Sequence, residues 1–404
     1  MKTVFSPADI LLPDFSPESS EWNAWAVIAC DQFTGEPEYW EKAEELRKGK
    51  RSTLDYILPE AYLGTEKEEI SSFNIKENMK NAAQSLKVHE NCMIYIERTL
   101  PDNKIRRGIV GKIDLEEYDF TPESASAVRA TEKTVVERIP PRVAVRQAAT
   151  VEFPHIMVFA DDSEKRFIEK LADEKESLEK LYSFELMQGG GRIDGWKIAG
   201  EALSELMREI SAYEASKSGV VYAVGDGNHS LASAKAHYEN VKKEASDPEN
   251  HPARYALAEI VSIFDSSIEF EPIYRILKNC NPADVLEKMS ECEKGQGTVT
   301  AVTCEGIKEL PAPAGHPLTV GALQIFLDGY MENNPQAVCD YIHGKDTLIS
   351  LVNDENTLGF LFDGVEKARL FGYVTKNGTL PRKTFSMGEA KSKRYYLEGR
   401  KIVL

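Results

Sequence analysis

Residues 218–230 constrain this chain more than any other stretch. Ser218-Gly219-Val220-Val221-Tyr222-Ala223-Val224 reads as an apolar strand, Gly225-Asp226-Gly227-Asn228-His229-Ser230 as a turn, and 230–245 as a helix. Glycine lets a backbone turn tightly and lets a ligand approach with no Cβ in the way. A helix that starts there presents unpaired N–H groups and the positive end of its dipole, which suits a phosphate. Asp226 would repel a bare phosphate, so it points to a magnesium ion or a substrate hydroxyl nearby. His229 sits where its ring can donate to a phosphate oxygen. The plainer alternative is that Asp226, Asn228 and Ser230 cap the helix while His229 packs against the sheet.

The flanking sequence predicts an α/β fold with a mixed sheet. The apolar run Trp25-Ala26-Val27-Ile28-Ala29 predicts a short strand that ends in a turn at Asp31. Helices are expected over 37–49 and 66–86, and strands at 92–97, 106–113 and 151–159, where β-branched residues lie between turn formers. Residues 163–185 read as a helix with Phe167, Leu171, Leu178 and Leu181 at roughly helical spacing. Residues 194–215 read as a second helix, its Trp196 stripe facing the core. Between them, Gly189-Gly190-Gly191-Arg192 reads as a mobile lid or as a flexible connector. A strand (258–264) and a helix (282–293) follow the phosphate turn, and Pro311, Pro313 and Pro317 suggest a linker. At 404 residues the chain exceeds what one core accommodates, about 250–300 residues. The expected division is an α/β domain over 1–295 that holds the turn and a smaller α+β lobe over 296–404.

A formal charge of −17 opposes nucleic-acid binding, which depends on clustered Lys and Arg. No apolar run approaches the roughly 20 residues that cross a bilayer, and Met1–Pro7 lacks the apolar core of a secretion signal. The six cysteines show no Cys-x-x-Cys spacing and read as buried thiols in a reducing compartment. The expectation is a cytoplasmic protein with small-molecule partners, no nucleic acid and no membrane, with homo-oligomerisation left open. His89, His237, His251 and His316 read as surface or cap residues, and His155 as structural.

The turn, with the following Leu231-Ala232-Ser233-Ala234, resembles the Asp-Gly-His-His-Arg…Ala signature of the family catalogued as domain of unknown function 1015. Ala29-Cys30-Asp31 is similar to its Pro-Tyr-Asp motif, Arg107-Gly108-Ile109-Val110-Gly111 to its Arg-Gly-(Leu/Ile)-Ile-Gly strand, and Glu132-Lys133-Thr134 to its His-Glu-Lys-Thr segment. Tyr341-Ile342-His343-Gly344 and Leu380-Pro381-Arg382-Lys383-Thr384 resemble its C-terminal motifs. The order is the family's and spans nearly the whole chain. Asn228, Ser230 and Thr131 stand where the pattern has His, Arg and His, and Pro272-Ile273-Tyr274-Arg275 where many members have Pro-Thr-His-Arg. These departures alter proton and charge supply, and so bear on donor and substrate choice.

The family resembles the ParB and sulfiredoxin-like fold, here with helical insertions, and that superfamily includes free L-serine kinases that use ADP or pyrophosphate. The resemblance implies a small-molecule phosphotransferase, with L-serine the first candidate substrate and a nucleotide or pyrophosphate donor held with magnesium. Glu132 is then the base, Asp226 orients the hydroxyl or holds the metal, and His229 stabilises charge. Gly225, Gly227, Asn228 and Ser230 cradle the donor; Lys133, Arg142 and Arg146 contact the anion; and Asp31, Arg275, His343 and Lys383 are further binding candidates. Against these stand solvated alternatives: Glu132 paired with Lys133 or Arg138, most of the 129–146 basic run on the surface, and Asp31 as a plain turn former. The alternative function is a regulatory protein that binds nucleotide or phosphate without chemistry. A DNA-binding relative of ParB conflicts with the charge.

Overall fold

The computed structural model describes residues 3–404, and the side chains of all of these except Arg138 and Pro141. Its architecture is mixed α/β, and contacts divide it into two compact units. The first comprises residues 3–268, 374–378 and 389–404; the second comprises 269–373 and 379–388. The expected division at 295/296 therefore falls within the second unit, and residues 389–404 return to the first. Composition does not reveal this, because strand pairing decides it: Tyr395–Tyr396 pairs with Val27–Ile28, and Arg400–Lys401 with Val151–Glu152.

Up to residue 268 the strands are β1 (Phe5–Ser6), β2 (Ala8–Leu12), β3 (Val27–Ile28), β4 (Lys87–Thr99), β5 (Ile105–Asp114), β6 (Tyr118–Asp119), β7 (Val128–Ala130), β8 (Val151–Glu152), β9 (Met157–Ala160), β10 (Glu179–Glu185), β11 (Arg192–Ile198), β12 (Tyr222–Asp226) and β13 (Tyr255–Ser262). The main sheet runs β10-β11-β4-β5-β13-β9-β12-β7-β6. Its β10 half is antiparallel, whereas β13/β9, β12/β7 and β7/β6 are parallel pairs. Ile94 and Ile96 of β4 enter one apolar cluster with Trp22, Trp25 and Trp40, while Met93 and Tyr95 enter another with Leu206 and Leu231. A sheet covered on both faces needs a continuous apolar run, which Met93-Ile94-Tyr95-Ile96 provides.

The two helices expected before the phosphate turn are corrected. Residues 163–185 hold a short helix, Ile168–Glu174, and then β10. Trp196 lies in β11, and the second helix begins at Gly200. The apolar spacing suited either period; what selects strand is the pairing of β10 with β11, in which the Tyr182 ring lies over Gly195. The expected strand over 151–159 splits into β8 and β9 at Pro154, which has no N–H for a ladder. Among the cysteines Cys92 and Cys280 are buried and Cys304 is exposed, so burial is not general.

The second unit carries β14 (Phe270–Lys278), β15 (Lys294–Thr303), β16 (Gly306–Pro313), β17 (Val338–His343), β18 (Leu358–Phe362) and β19 (Phe385–Met387). Its sheet runs β16-β15-β18-β14-β17, with β19 paired to β14. Pro311 and Pro313 lie on the edge strand β16 and not in a linker; an edge tolerates residues that donate no hydrogen bond.

Candidate functional site

Tyr222, Ala223 and Val224 of β12 are buried, and the chain emerges at Gly225 and Asp226. A bulge follows Val224, which pairs with Val158 while Asp226 pairs with Met157. A Cβ at Gly225 would lie 2.7 Å from the Phe159 ring. Gly227 has φ 80° and ψ 25°, and a Cβ there would lie 3.0 Å from Ile156 Cα. Both glycines are thus demanded by the turn.

The helix Asn228–Glu244 begins directly after Gly227, two residues before the expected start. Asn228 and Ser230 therefore lie inside its first turn, and the residue at the cap position has no side chain to offer. No side chain caps this end, so the first-turn N–H groups keep the orphan character that favours an anion. Asp226 Oδ1 accepts from the Gly227 amide (2.9 Å), while Asp226 Oδ2 and Asn228 Oδ1 are buried and accept no hydrogen bond.

Glu132 reaches this turn through the sheet. β7 runs parallel to β12 with Ala130 opposite Val224. Continued for two residues, this register sets Glu132 beside Asp226 at the carboxyl ends of neighbouring strands, roughly 4.8 Å apart in backbone spacing. Such strand ends are where open α/β sheets hold ligands. Thr131 Oγ1 donates to Val224 O (2.7 Å), tying the two strand ends together. His229 Nε2 accepts from the Val135 amide (3.3 Å), which lays the 131–135 segment against the first helical turn. Glu132 is half-buried and Lys133 exposed.

The arginines expected to contact an anion already have carboxylate partners. Arg142 pairs with Glu60, and Arg146 with Glu152. Glu152 is buried; burial alone would raise its carboxyl, but Arg146 and Arg400 together hold it below the usual range. Glu152 also accepts from the Leu257 amide (2.9 Å), so this pair knits the sheet. The Arg138 side chain lies outside those described.

Asp31 follows β3, and its carboxylate accepts from the Gln32 amide (3.0 Å). Desolvation pushes the Asp31 carboxyl up, but His155, Gln32 and Lys393 outweigh this and hold it below its usual range. The buried His155 ring packs edge-on against Tyr396 (5.2 Å). Lys393 Nζ lies 3.5 Å from Asp226 Oδ2, with the two side chains 15% and 17% exposed. Neither Lys393 nor His155 was singled out from the sequence as a site residue. No local motif marks Lys393, because its partner Asp226 is remote in sequence.

Arg275, His343 and Lys383 belong to the second unit. Arg275 is fully buried; it donates to Gln324 Oε1 (2.8 Å), Lys383 O (2.9 Å), Arg382 O (3.2 Å) and Ile273 O, which occupies its guanidinium within the fold. His343 and Lys383 are exposed, and His343 stands opposite Ile273.

Among the described residues no group of three or more His, Cys, Asp or Glu side chains could hold a metal ion. Magnesium, however, is commonly bound by one or two carboxylates together with substrate phosphates. Asp226, whose Oδ2 accepts no hydrogen bond, fits a site of that kind. No helix among the described residues is long and apolar enough to cross a membrane.

Several solved structures are similar at low scores. A free serine kinase in complex with AMP is 12% identical with a TM-score of 0.39, and a mutant free serine kinase in complex with ADP is 11% identical with a TM-score of 0.39; each alignment covers 75% of this chain and 95% of the other. A conserved hypothetical protein from Pyrococcus furiosus is 13% identical with a TM-score of 0.35, over 71% of this chain and 93% of the other. At these scores the likeness adds no argument about the site. No curated protein matches the chain. A family model matches residues 14–386, nearly the whole length over which the motifs run, and the chain belongs to the family described as Protein of unknown function (DUF1015).

Proposed function

We propose that the first unit binds the phosphate of a small-molecule donor at Gly225–Ser230 and transfers a phosphoryl group to a small hydroxyl compound, with L-serine the first candidate. One observation carries this reading: an uncapped helix start follows a glycine turn beside two carboxylates, Glu132 and Asp226, on adjacent parallel strands. The donor, a nucleotide or pyrophosphate, lies on the first-turn amides of Asn228, His229 and Ser230. Glu132 takes the hydroxyl proton as that oxygen attacks the terminal phosphorus. The bond from phosphorus to the bridging oxygen breaks, and its electrons leave with the shortened donor. Magnesium, held by Asp226 with the donor phosphates, would supply positive charge against their oxygens. His229 has Nε2 engaged by Val135, so the proton it donates to a phosphate is on Nδ1. Catalysis here is mostly positioning and electrostatics.

The test is incubation of the full chain with serine and magnesium plus ATP, ADP or pyrophosphate, with phosphoserine read by mass spectrometry. Glu132→Gln is expected to lower turnover by roughly 10²–10⁴-fold, and Asp226→Asn to abolish it, both with an intact fold by circular dichroism. Unchanged turnover in both variants would remove these roles. A second reading, phosphate binding without chemistry, is favoured by one observation: Glu60 and Glu152 occupy Arg142 and Arg146, leaving less positive charge for a transferred group. Retained nucleotide affinity with no phosphorylated product across a panel of hydroxyl compounds would support it.

A further inference from the structure

We infer that Lys393 is the cation that binds the donor phosphate at this turn, an inference that rests on the reading of the turn as a phosphate cradle. Its ammonium lies 3.5 Å from Asp226 Oδ2 and also acts on Asp31. The main chain around it is pinned by buried guanidinium groups. Arg98 donates to Lys393 O (2.7 Å), Lys391 O (2.7 Å) and Gly190 O (2.8 Å), and Arg106 donates to Ser392 O (2.8 Å). Immediately after it, Arg394 is buried against Glu259 (2.8 Å) and Glu398 (2.7 Å), and Tyr182 donates to Glu398 (2.6 Å). The segment is thereby held on both sides of Lys393, while the lysine side chain itself reaches Asp226.

This placement resolves a difficulty in the sequence. A carboxylate at 226 repels an incoming phosphate, and the arginines first assigned to the anion are paired with Glu60 and Glu152. Lys393 neutralises Asp226 before a ligand arrives. A lysine ammonium on its flexible stem can then turn from the carboxylate to a phosphate oxygen when magnesium shares Asp226. Arginine would hold the carboxylate in a more rigid fork.

Calorimetric titration of pyrophosphate and of ADP, each with magnesium, into the full chain tests this. Lys393→Met is expected to weaken binding of both by roughly 10–100-fold, and Lys393→Arg to restore most of it. Equal affinity in wild type and Lys393→Met overturns the role of Lys393 and leaves the phosphate reading standing. Absence of binding by wild type overturns that reading, and the inference with it. Should Lys393→Met not fold, amine acylation of wild-type protein decides: saturating pyrophosphate is expected to protect Lys393, as read by peptide mass spectrometry, and unchanged acylation overturns the inference.

Discussion

Two glycine turns in the first unit look alike in sequence and do opposite things. Gly225-Asp226-Gly227 leads from a strand into a helix; Gly189-Gly190-Gly191 leads from β10 into β11. In the first, the space a Cβ would fill is close to Phe159 and Ile156, and the helix start beyond it has no side-chain cap. In the second, a Cβ at Gly190 would overlap the Tyr395 hydroxyl and one at Gly191 the Thr99 carbonyl oxygen. The Gly190 carbonyl is bound by Arg98, and Leu186 donates to Gly191 O (2.7 Å). The second turn is therefore neither lid nor loose connector. Its glycines make room for the protein's own atoms, whereas those at 225 and 227 shape an opening. A glycine pair is not evidence of a ligand site until what occupies the vacated volume is known.

Three substitutions probe this contrast. Gly191→Ala meets both a backbone oxygen and a φ of +84°. It is expected to cost about 2–5 kcal/mol of stability, read by urea denaturation, with pyrophosphate affinity per folded molecule unchanged. A stability loss under about 0.5 kcal/mol would mean the turn is not sealed as described. Gly227→Ala, at φ +80°, should cost only about 1–2 kcal/mol yet abolish pyrophosphate binding, since the first-turn amides move with it. If binding survives, the opening is not the cradle.

The smallest effect lies along the helix behind the open turn. Burial, then Arg146 and His251, push His237 down to about 4 from 6.5, and its Nδ1 has no hydrogen-bond partner. The unfolded chain therefore takes up a proton between pH 6.5 and about 4 that the folded chain refuses. This contribution to stability is intact above pH 6.5 and declines as pH falls through that window. His237→Leu should flatten the fall of melting temperature across it; a fall as steep as in wild type would exclude His237 as its source.

Legibility followed range along the chain. The helices over 66–85 and 228–244 and the strands β4, β5, β12 and β13 could be read from the sequence, because apolar periodicity and turn formers are local. The helices expected over 163–185 and 194–215 failed where Leu178, Leu181 and Trp196 satisfied two periods at once. At the site, Glu132 and Asp226 were named from motifs, and the β7/β12 register gives a physical reason for pairing them. Arg142 and Arg146 were misjudged as free cations because Glu60 and Glu152, their partners, carry no motif.

By itself, then, the sequence determined the strand, the glycine bend and the helix behind it, since strand propensity, positive φ and helical periodicity are properties of neighbouring residues. Tertiary structure alone decided which charges meet there. Lys393 reaches Asp226 because Arg98 and Arg106 clamp a distant segment beside the turn. Charge pairing depends on distance in space, and no spacing along a chain encodes that.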